Sequence, residues 1–296
     1  MSVSHLLTGN DANNPKLSIT VKNLTIEGKS SDQLSHFTVG ASSEYRYHTI
    51  QSAINDALGT NSTIIVTPGT YTENLDLKTG GFTIQGAQSN ASLFQGPVTV
   101  NGTVTGNLTS EVVLANLEIN STGNTITLTS LNQIFLIITG CTLLSSAGTA
   151  LVSTNGFVFV TNTRFRNAAT NMIDSNNTMI ILINNVIDTD GTQNKILKIS
   201  NNSFCIAFNN LMFDFFSFDT NSTGLVVGNC IAIGDNPAFT IDVTSISITS
   251  GNFVLSINGS STDWVVGNGT ILSNSNTLAG RNTVGAGITY SALTVA

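Results

Sequence analysis

Acidic side chains in the C-terminal half of the chain could support acid–base chemistry. Each follows a recurring Asn by roughly four to six residues, and one Arg stands at a similar distance from an earlier Asn. If these Asn residues align in successive repeats, the charged groups share one edge. Paired carboxylates can carry out glycoside hydrolysis or bind Ca²⁺, and a nearby base can serve a lyase. The candidates are Asp188, Asp190, Asp214, Asp235 and Arg166, with Lys198 as a second candidate base.

The same acids also suit ordinary turns. Asp is common in turns because its side chain hydrogen-bonds to the backbone two residues further on. On this interpretation the aspartates form a solvated row and Arg166 makes one surface ion pair, which would contribute about 0 to 1 kcal/mol. We favour the turn interpretation and keep the chemical one as the alternative.

A repeat that is visible from Val113 onward would position these acids. Runs of Ile, Val, Leu and Phe precede a small residue at intervals of roughly 20 to 25 residues, which is typical of a solenoid. Because Ile, Val and Phe favour strands, each repeat is predicted to form one coil of β-strands. Residues 60 to 290 would supply roughly ten coils, stacked about 4.8 Å apart. The small residues that we align at the shared turn are Asn116, Gly140, Asn162, Asn184, Asn209, Asn229 and Asn268.

Asn suits this turn for two reasons. It tolerates the left-handed backbone region, and its amide can hydrogen-bond to the Asn of the next coil. We therefore predict a structural ladder, not a ligand site, formed by Asn116, Asn162, Asn184, Asn209, Asn229 and Asn268. Aromatic residues are predicted to line the interior of the coils, including Phe157, Phe159, Phe204, Phe208, Phe213, Phe215 and Phe216.

The stretch from Tyr47 to Gly86 predicts how the stack begins. An apolar stripe at helical spacing, closed by Gly59, predicts a capping helix over residues 48–58, and short strands bounded by turn residues follow. The order of this helix, then I-I-V-T-P-G-T-Y-T-E, then F-T-I-Q-G resembles the N-terminal cap and first coil of pectin-lyase-like proteins, pectin methylesterases especially. The resemblance covers residues 46–86 and is only a pattern beyond them. It implies an all-β, right-handed, single-stranded parallel β-helix with a short N-terminal capping helix.

The catalytic motifs of the related enzymes are incomplete. The resemblance to pectin methylesterases implies two catalytic aspartates, in Q-D and D-F-x-F-G contexts, and a downstream Arg. The D-F-F at Asp214 is similar to the second context but lacks its Gly, and no Gln-Asp pair occurs. The D-T-D-G at Asp188 is similar to the N-T-D-G element of polygalacturonases, whose Asp-Asp, Gly-His-Gly and Arg-x-Lys elements are absent. We predict neither activity.

Composition excludes several classes of function. Charged residues are 9% of the chain and the net charge is −7, with ten Lys and Arg scattered singly. No basic stripe exists for nucleic acid, and no apolar run reaches the roughly 18 to 20 residues that a membrane span needs. The first residues lack the basic and apolar regions of a cleavable signal peptide, so we expect none.

The cysteines do not suggest a metal site or a disulfide framework. Cys141, Cys205 and Cys230 are odd in number and widely spaced, without a C-x-x-C pair. Each stands among apolar or small residues, so we predict buried thiols. We also predict no cofactor and no bound metal.

The chain is predicted to have three parts. Residues 1–45, in which Leu17 to Ile26 alternate as a strand does, form an N-terminal arm for docking or oligomer contact. Residues 46–275 form the β-helix, and residues 276–296 form a C-terminal cap or association segment that would cover the last coil. The expected partners of the two end segments are other structural proteins or sister subunits.

Few ionisable groups, incomplete motifs and the arm together favour a non-enzymatic structural or surface-binding protein. The Asn-, Ser-, Thr- and Ile-rich composition resembles virion surface components of phages and large DNA viruses, which implies a capsid-associated, spike or tail component. We expect a virion or extracellular surface location. One alternative is a polysaccharide lyase or glycoside hydrolase that uses the acidic edge. The other is a glycan-binding adhesin with Trp264 as an exposed stacking platform, although Trp264 also fits a core position.

Overall fold

The computed structural model describes residues 36–43, 45–87, 97–130, 135–166, 171–188, 197–213, 216–233, 238–242, 244–256, 263–267, 270–274, 276–279, 283–284 and 289–292. The chain divides into two compact units, Met1–Gln33 and Leu34–Ala296, and the account below concerns the second. The strand predicted within the first unit lies outside the described residues.

The predicted capping helix is present as α1 (Ile50–Ala57), slightly shorter than its predicted span. It begins because Thr49 Oγ1 accepts a hydrogen bond from Ser52 N (3.2 Å), as an N-cap residue does. The carboxylate of Glu73 accepts from two further free amides, Ile50 N and Gln51 N, at 2.8 and 2.9 Å. The helix ends at Ala57, and the chain turns away two residues later at Gly59, whose φ of 69° is left-handed. Its apolar stripe is buried against the first strands.

Residues before the helix pack on it. Tyr47 donates a hydrogen bond to the Asp56 carboxylate (2.8 Å), and Arg46 forms an ion pair with the same group (3.2 Å). The Arg46 guanidinium also lies over the Tyr47 ring, 5.1 Å from its centroid. Burial and the hydrogen bond to Asp56 raise the pKa of Tyr47 to about 12. These contacts pack Arg46 and Tyr47 against the capping helix.

The remaining regular structure consists of short strands. In chain order they are β1 (His36–Val39), β2 (Ser62–Val66), β3 (Gly69–Tyr71), β4 (Leu75–Asp76), β5 (Phe82–Gly86), β6 (Val98–Asn101), β7 (Val104–Leu108), β8 (Val112–Ala115), β9 (Glu118–Ser121), β10 (Ile126–Ser130), β11 (Phe135–Thr139), β12 (Thr142–Ser145), β13 (Leu151–Thr154), β14 (Phe157–Thr161), β15 (Arg164–Arg166), β16 (Ile173–Asn176), β17 (Met179–Ile183), β18 (Val186–Asp188), β19 (Leu197–Ser200), β20 (Phe204–Phe208), β21 (Leu211–Phe213), β22 (Phe216–Phe218), β23 (Thr223–Val227), β24 (Cys230–Ile233), β25 (Phe239–Ile241), β26 (Ile246–Ser250), β27 (Phe253–Ser256), β28 (Asp263–Gly267), β29 (Thr270–Asn274), β30 (Thr277–Ala279), β31 (Thr283–Val284) and β32 (Thr289–Ala292).

These strands form three parallel sheets, and each coil contributes one strand to each sheet. Sheet 1 contains 12 strands in the order β1-β2-β5-β8-β11-β14-β17-β20-β23-β26-β29-β32. Sheet 2 contains 10 strands, from β3 to β30, and sheet 3 contains 10 strands, from β4 to β31. Apart from β1 and β2, neighbouring strands in each sheet are three strands apart along the chain, as in a solenoid. The predicted fold class, an all-β right-handed parallel β-helix, is confirmed.

The solenoid begins earlier than the predicted boundary at residue 46. Strand β1, which falls in the predicted arm, pairs in parallel with β2 and forms the edge of sheet 1. Backbone pairing with β2 and the isolated bridge between Val39 and Tyr47 tie this segment to the first coil. At the other end, β30, β31 and β32 extend the three sheets into the predicted C-terminal segment.

Aliphatic side chains from all three sheets fill the interior, together with a cluster of aromatic rings. Phe165, Phe216, Phe218 and Phe239 are fully buried. The Phe216 and Phe239 rings stack nearly parallel, with centroids 5.3 Å apart. A Cβ at Gly224 would overlap the ring of Phe218, so this ring reaches across the interior to sheet 1. The inward position predicted for Phe216 is correct.

Most of the other Phe residues predicted for the interior lie on the outside, which corrects that prediction. Strands β14 and β20 turn Val158, Val160, Cys205 and Ala207 inward, and the Phe residues between them face outward. Space explains this: the Phe rings of sheets 2 and 3 occupy the interior, so smaller residues face them from sheet 1. The misassigned residues are Phe157, Phe159, Phe204, Phe208 and Phe213, and Phe215 lies outside the described residues.

A column of left-handed residues turns seven consecutive coils, those of β8 to β26, from sheet 1 to sheet 2. The strand register aligns them, since Thr139 pairs with Thr161, and Ile183 with Phe208. Gly takes this conformation without strain and Asn tolerates it, which explains why the two types share the column. Its members are Asn116, Gly140, Asn162, Asn184, Asn209, Gly228 and Gly251. Asn229 was therefore aligned one residue too late, because Gly228 occupies the turn, and Asn268 lies outside the described residues.

The residue after the left-handed one forms a second, buried Asn ladder. Asn210 Nδ2 donates to Asn229 Oδ1 (2.9 Å), and Asn210 Oδ1 accepts from Asn185 Nδ2 (3.0 Å). Backbone amides also donate along the ladder, as Asn210 N does to Asn229 Oδ1 (2.8 Å). This ladder makes the amide-to-amide bonds that the sequence predicted for the turn. Its members are Asn185, Asn210, Asn229, Asn252 and Asn276.

Candidate functional site

The structure describes two of the five residues of the predicted acidic edge. Asp188 ends β18 and Arg166 ends β15, both on the outer side of sheet 2, and the register pairs them directly. Asp190, Asp214 and Asp235 lie outside the described residues. The ion pair is made by Arg164 instead, whose Nη2 lies 3.3 Å from Asp188 Oδ2. These two side chains are 49% and 34% exposed, so the pair is a weak surface interaction.

Arg166 is placed differently from Arg164. Its Nε is buried and makes no hydrogen bond within the described part of the chain. The side chain lies where β15 ends, at a coil edge beside Asp188 in register.

A second acid–base pair lies on the outer side of sheet 3. Asp174 on β16 and Lys198 on β19 are direct neighbours in register, with Lys198 Nζ 3.7 Å from Asp174 Oδ2. Asn171 Nδ2 donates to the same oxygen at 3.4 Å. Sequence reasoning named Lys198 as a candidate base but missed Asp174, because the two belong to consecutive coils and become neighbours only through the register. A carboxylate beside an ammonium can exchange a proton with a bound substrate.

The described residues contain neither a cluster of metal-binding side chains nor a membrane-spanning helix. His, Cys, Asp and Glu side chains nowhere gather there in a group of three that could bind a metal ion. No helix within these ranges has the length and hydropathy to cross a membrane. Trp264 is part of β28, but its side chain lies outside the described set.

The largest chemical feature of the described surface is the outer side of sheet 1. From β11 to β26, the first, third and fifth residues of six strands are exposed or half-buried, so they lie on the outer side of the sheet. None of these residues is charged, and only Thr139, Thr161, Thr223 and Ser250 are polar. We call this surface the sheet 1 face. Its apolar members are Phe135, Ile137, Phe157, Phe159, Met179, Ile181, Ile183, Phe204, Ile206, Phe208, Leu225, Val227, Ile246 and Ile248.

Columns of like residues run up this face. The central column stacks Ile137, Phe159, Ile181 and Ile206 in register. At the strand starts the Phe135 and Phe157 rings lie 4.3 Å apart between centroids. Phe208 and Ile246 remain 42% and 43% exposed. Exposed apolar columns of this length are uncommon on soluble monomers and mark binding surfaces.

An open groove of about 680 Å³ follows the strand starts of the sheet 1 face. Its lining includes Phe157, Met179 and Phe204. Its rim includes left-handed Asn155 and Asn177, whose amides are hydrogen-bonded to each other at 2.8 Å. Aromatic rings and amides are groups that can bind a sugar ring, by stacking and by paired hydrogen bonds.

The three cysteines differ in exposure. Cys141 and Cys205 face inward, and burial raises the pKa of their thiols to about 11 and about 12. Cys230 is exposed, which corrects the prediction of three buried thiols. The reason is the alternation of side chains along a strand. Ile231 points into the interior, so its neighbour Cys230 faces outward.

Native thiol labelling is therefore expected to stop at one thiol. At about pH 8 the raised pKa values keep the Cys141 and Cys205 thiols protonated and their burial shields them, whereas the Cys230 thiol is accessible to a reagent. A chromogenic disulfide reagent should react with Cys230 in the folded chain, and with Cys141 and Cys205 only after denaturation. The variant Cys230→Ser should abolish native labelling. Rapid labelling of a second thiol in the native protein would contradict this assignment.

Comparison with known proteins returns similar structures only. No protein-family model matches the chain, and no curated protein matches it. The solved structures similar to it include the Aspergillus niger pectin methylesterase, with 14% identity, a TM-score of 0.48, and coverage of 88% of this chain and 91% of that one. The Azotobacter vinelandii mannuronan C-5 epimerase AlgE6 A-module has 13% identity, a TM-score of 0.49, and coverage of 82% and 94%. Escherichia coli YbhC has 12% identity, a TM-score of 0.41, and coverage of 89% and 88%. Pectin methylesterases, which residues 46–86 resemble, are among the solved structures to which the chain is similar.

Proposed function

We propose that this protein is a non-enzymatic structural or binding protein whose rigid β-solenoid presents the sheet 1 face to a macromolecular partner. The observation that carries the proposal is the chemistry of that face, which is uncharged and largely apolar over six consecutive strands. Parallel sheets are normally covered on both sides. In this protein the core covers the inner side of sheet 1. The outer side is uncharged and largely apolar, which is the composition of a surface that a partner covers.

The charged groups of the described surface fit the same proposal. Arg164 pairs with Asp188, and Lys198 with Asp174, in partly exposed ion pairs. Such pairs are typical of solvated surfaces and contribute about 0 to 1 kcal/mol each. The virion or extracellular location remains a prediction from composition.

The competing hypothesis is a polysaccharide-active enzyme that uses Asp174 and Lys198. The experiment that separates the two is incubation of the full chain with pectin, polygalacturonate and polymannuronate. Methanol release, unsaturated uronates, new reducing ends and epimerised residues would be measured. We expect no turnover above buffer. Turnover that Lys198→Met abolishes, with the circular dichroism spectrum unchanged, would overturn the non-enzymatic proposal.

A second candidate function, glycan binding, is favoured by the groove between the Phe157 ring and the Asn155 and Asn177 amides. It concerns only one border of the sheet 1 face. Binding of neutral oligosaccharides that Phe157→Ala removes would support this candidate. The central Ile column, which has no hydrogen-bonding side chain, is better suited to protein than to sugar.

A further inference from the structure

The sheet 1 face has the properties of one half of a symmetric interface. Its central column repeats large apolar residues at each coil, as Phe159, Ile181 and Ile206 do. Their side chains are half-buried by their neighbours in the sheet, so they are held in place before any partner binds. A surface ordered in advance loses little side-chain entropy on association.

We propose that the sheet 1 face binds the same face of a second copy of this chain. This deepens the proposed function, on which it rests, by naming the partner. Pairing by a two-fold axis would place the Ile181 column of one copy against that of the other. In such an isologous contact, each residue meets a surface of its own kind.

The area of the face is sufficient for a dimer. Six strands at about 4.8 Å spacing and five residues at about 3.3 Å rise give a flat area of about 500 Å² per copy. Two copies would together cover about 1,000 Å², which is the lower limit of area for a biological interface. The relief of the Phe and Ile side chains makes the accessible area larger than this flat projection.

Charge also favours a second copy on this face. The chain has a net charge of −7, so two copies repel each other wherever their acidic groups approach. The Arg164–Asp188 and Lys198–Asp174 ion pairs lie on sheets 2 and 3, and the Arg46–Asp56 pair lies at the capping helix. The sheet 1 face carries no charged residue between β11 and β26, so two copies can meet there without burying a carboxylate.

The test is the mass of the full chain in solution. Sedimentation velocity over a range of micromolar concentrations should give twice the mass of one chain for the wild type. Ile181→Lys should raise the dissociation constant at least about tenfold, because it places two like charges in the apolar interface. Ile206→Thr is the milder variant, since Thr keeps the β-branched shape already present on this face. Val152→Lys, the same kind of change on the outer side of sheet 3, is the matched control and should leave the mass unchanged.

Each outcome decides the proposal. A concentration-independent monomer would overturn it, as would a dimer that Ile181→Lys and Ile206→Thr leave intact. If the wild type is a monomer and Ile181→Lys lowers its melting temperature far more than Val152→Lys does, another segment of the same chain covers the face. That result also overturns the second copy as occupant. Catalytic turnover, in contrast, would overturn the proposed function whatever the measured mass.

Discussion

Asn210→Ala is expected to destabilise the solenoid by about 3 to 5 kcal/mol. The Asn210 amide joins three coils: its Nδ2 donates to Leu182 O and to Asn229 Oδ1, and its Oδ1 accepts from Asn185. All of these groups are buried, and water cannot replace the missing side chain without opening the coil stack. Each buried group left without a partner costs about 1 to 3 kcal/mol.

The measurement is the urea midpoint, followed by circular dichroism, with the m-value checked for an unchanged cooperative unit. Asn184→Gly is the matched control, because Asn184 is the exposed, left-handed neighbour of the ladder residue Asn185. Gly occupies the same turn position at Gly140 and Gly228, so this variant should change stability by no more than about 0.5 kcal/mol. Equal midpoints for Asn210→Ala and Asn184→Gly would show that the buried ladder does not stabilise the fold.

Phe216→Ala is expected to cost about 3 to 5 kcal/mol. Phe216 is fully buried and stacks between two other rings, with centroids 5.3 Å from Phe239 and 5.9 Å from Phe218. Removing the ring leaves a cavity that the neighbouring coils cannot close, because hydrogen-bonded strands fix their spacing. Thermal and urea unfolding would both record the loss.

Phe208→Ala is the control that tests which side of the strands is inside. Its ring is 42% exposed on the sheet 1 face, so truncation should cost about 1 kcal/mol or less in dilute protein, where association does not contribute. A large loss for Phe208→Ala, together with a small one for Phe216→Ala, would reverse the assignment of inner and outer faces.

Local signals in the chain were sufficient to predict the architecture. The helix follows from apolar residues at helical spacing between Ile50 and Ala57, and it is present with its stripe buried. The coils follow from β-branched runs that end at Asn or Gly at intervals of roughly 20 to 25 residues. The buried ladder could also have been found, because four of its members stand second in Asn-Asn or Gly-Asn doublets. Those members are Asn185, Asn210, Asn229 and Asn252.

The sequence did not predict which side chains of the sheet 1 strands face the interior. Segments such as F-V-F-V-T in β14 and M-I-I-L-I in β17 are apolar at almost every position. In such a strand, a shift of one residue exchanges the two faces without changing the apparent hydrophobicity. The Phe residues were therefore assigned to the core, although the interior beside Phe218 has room only for small groups such as Gly224.

The sequence by itself determined the class of fold and the length of its repeat, because strand propensity and turn chemistry are properties of short segments. Only the tertiary structure decided which acid meets which base and which side of sheet 1 faces outward. Asp174 and Lys198 became neighbours, and Arg164 rather than Arg166 reached Asp188, because coils of unequal length are stacked in a register set by backbone hydrogen bonds. The volume of the aromatic core then determined which residues of each strand had to remain outside.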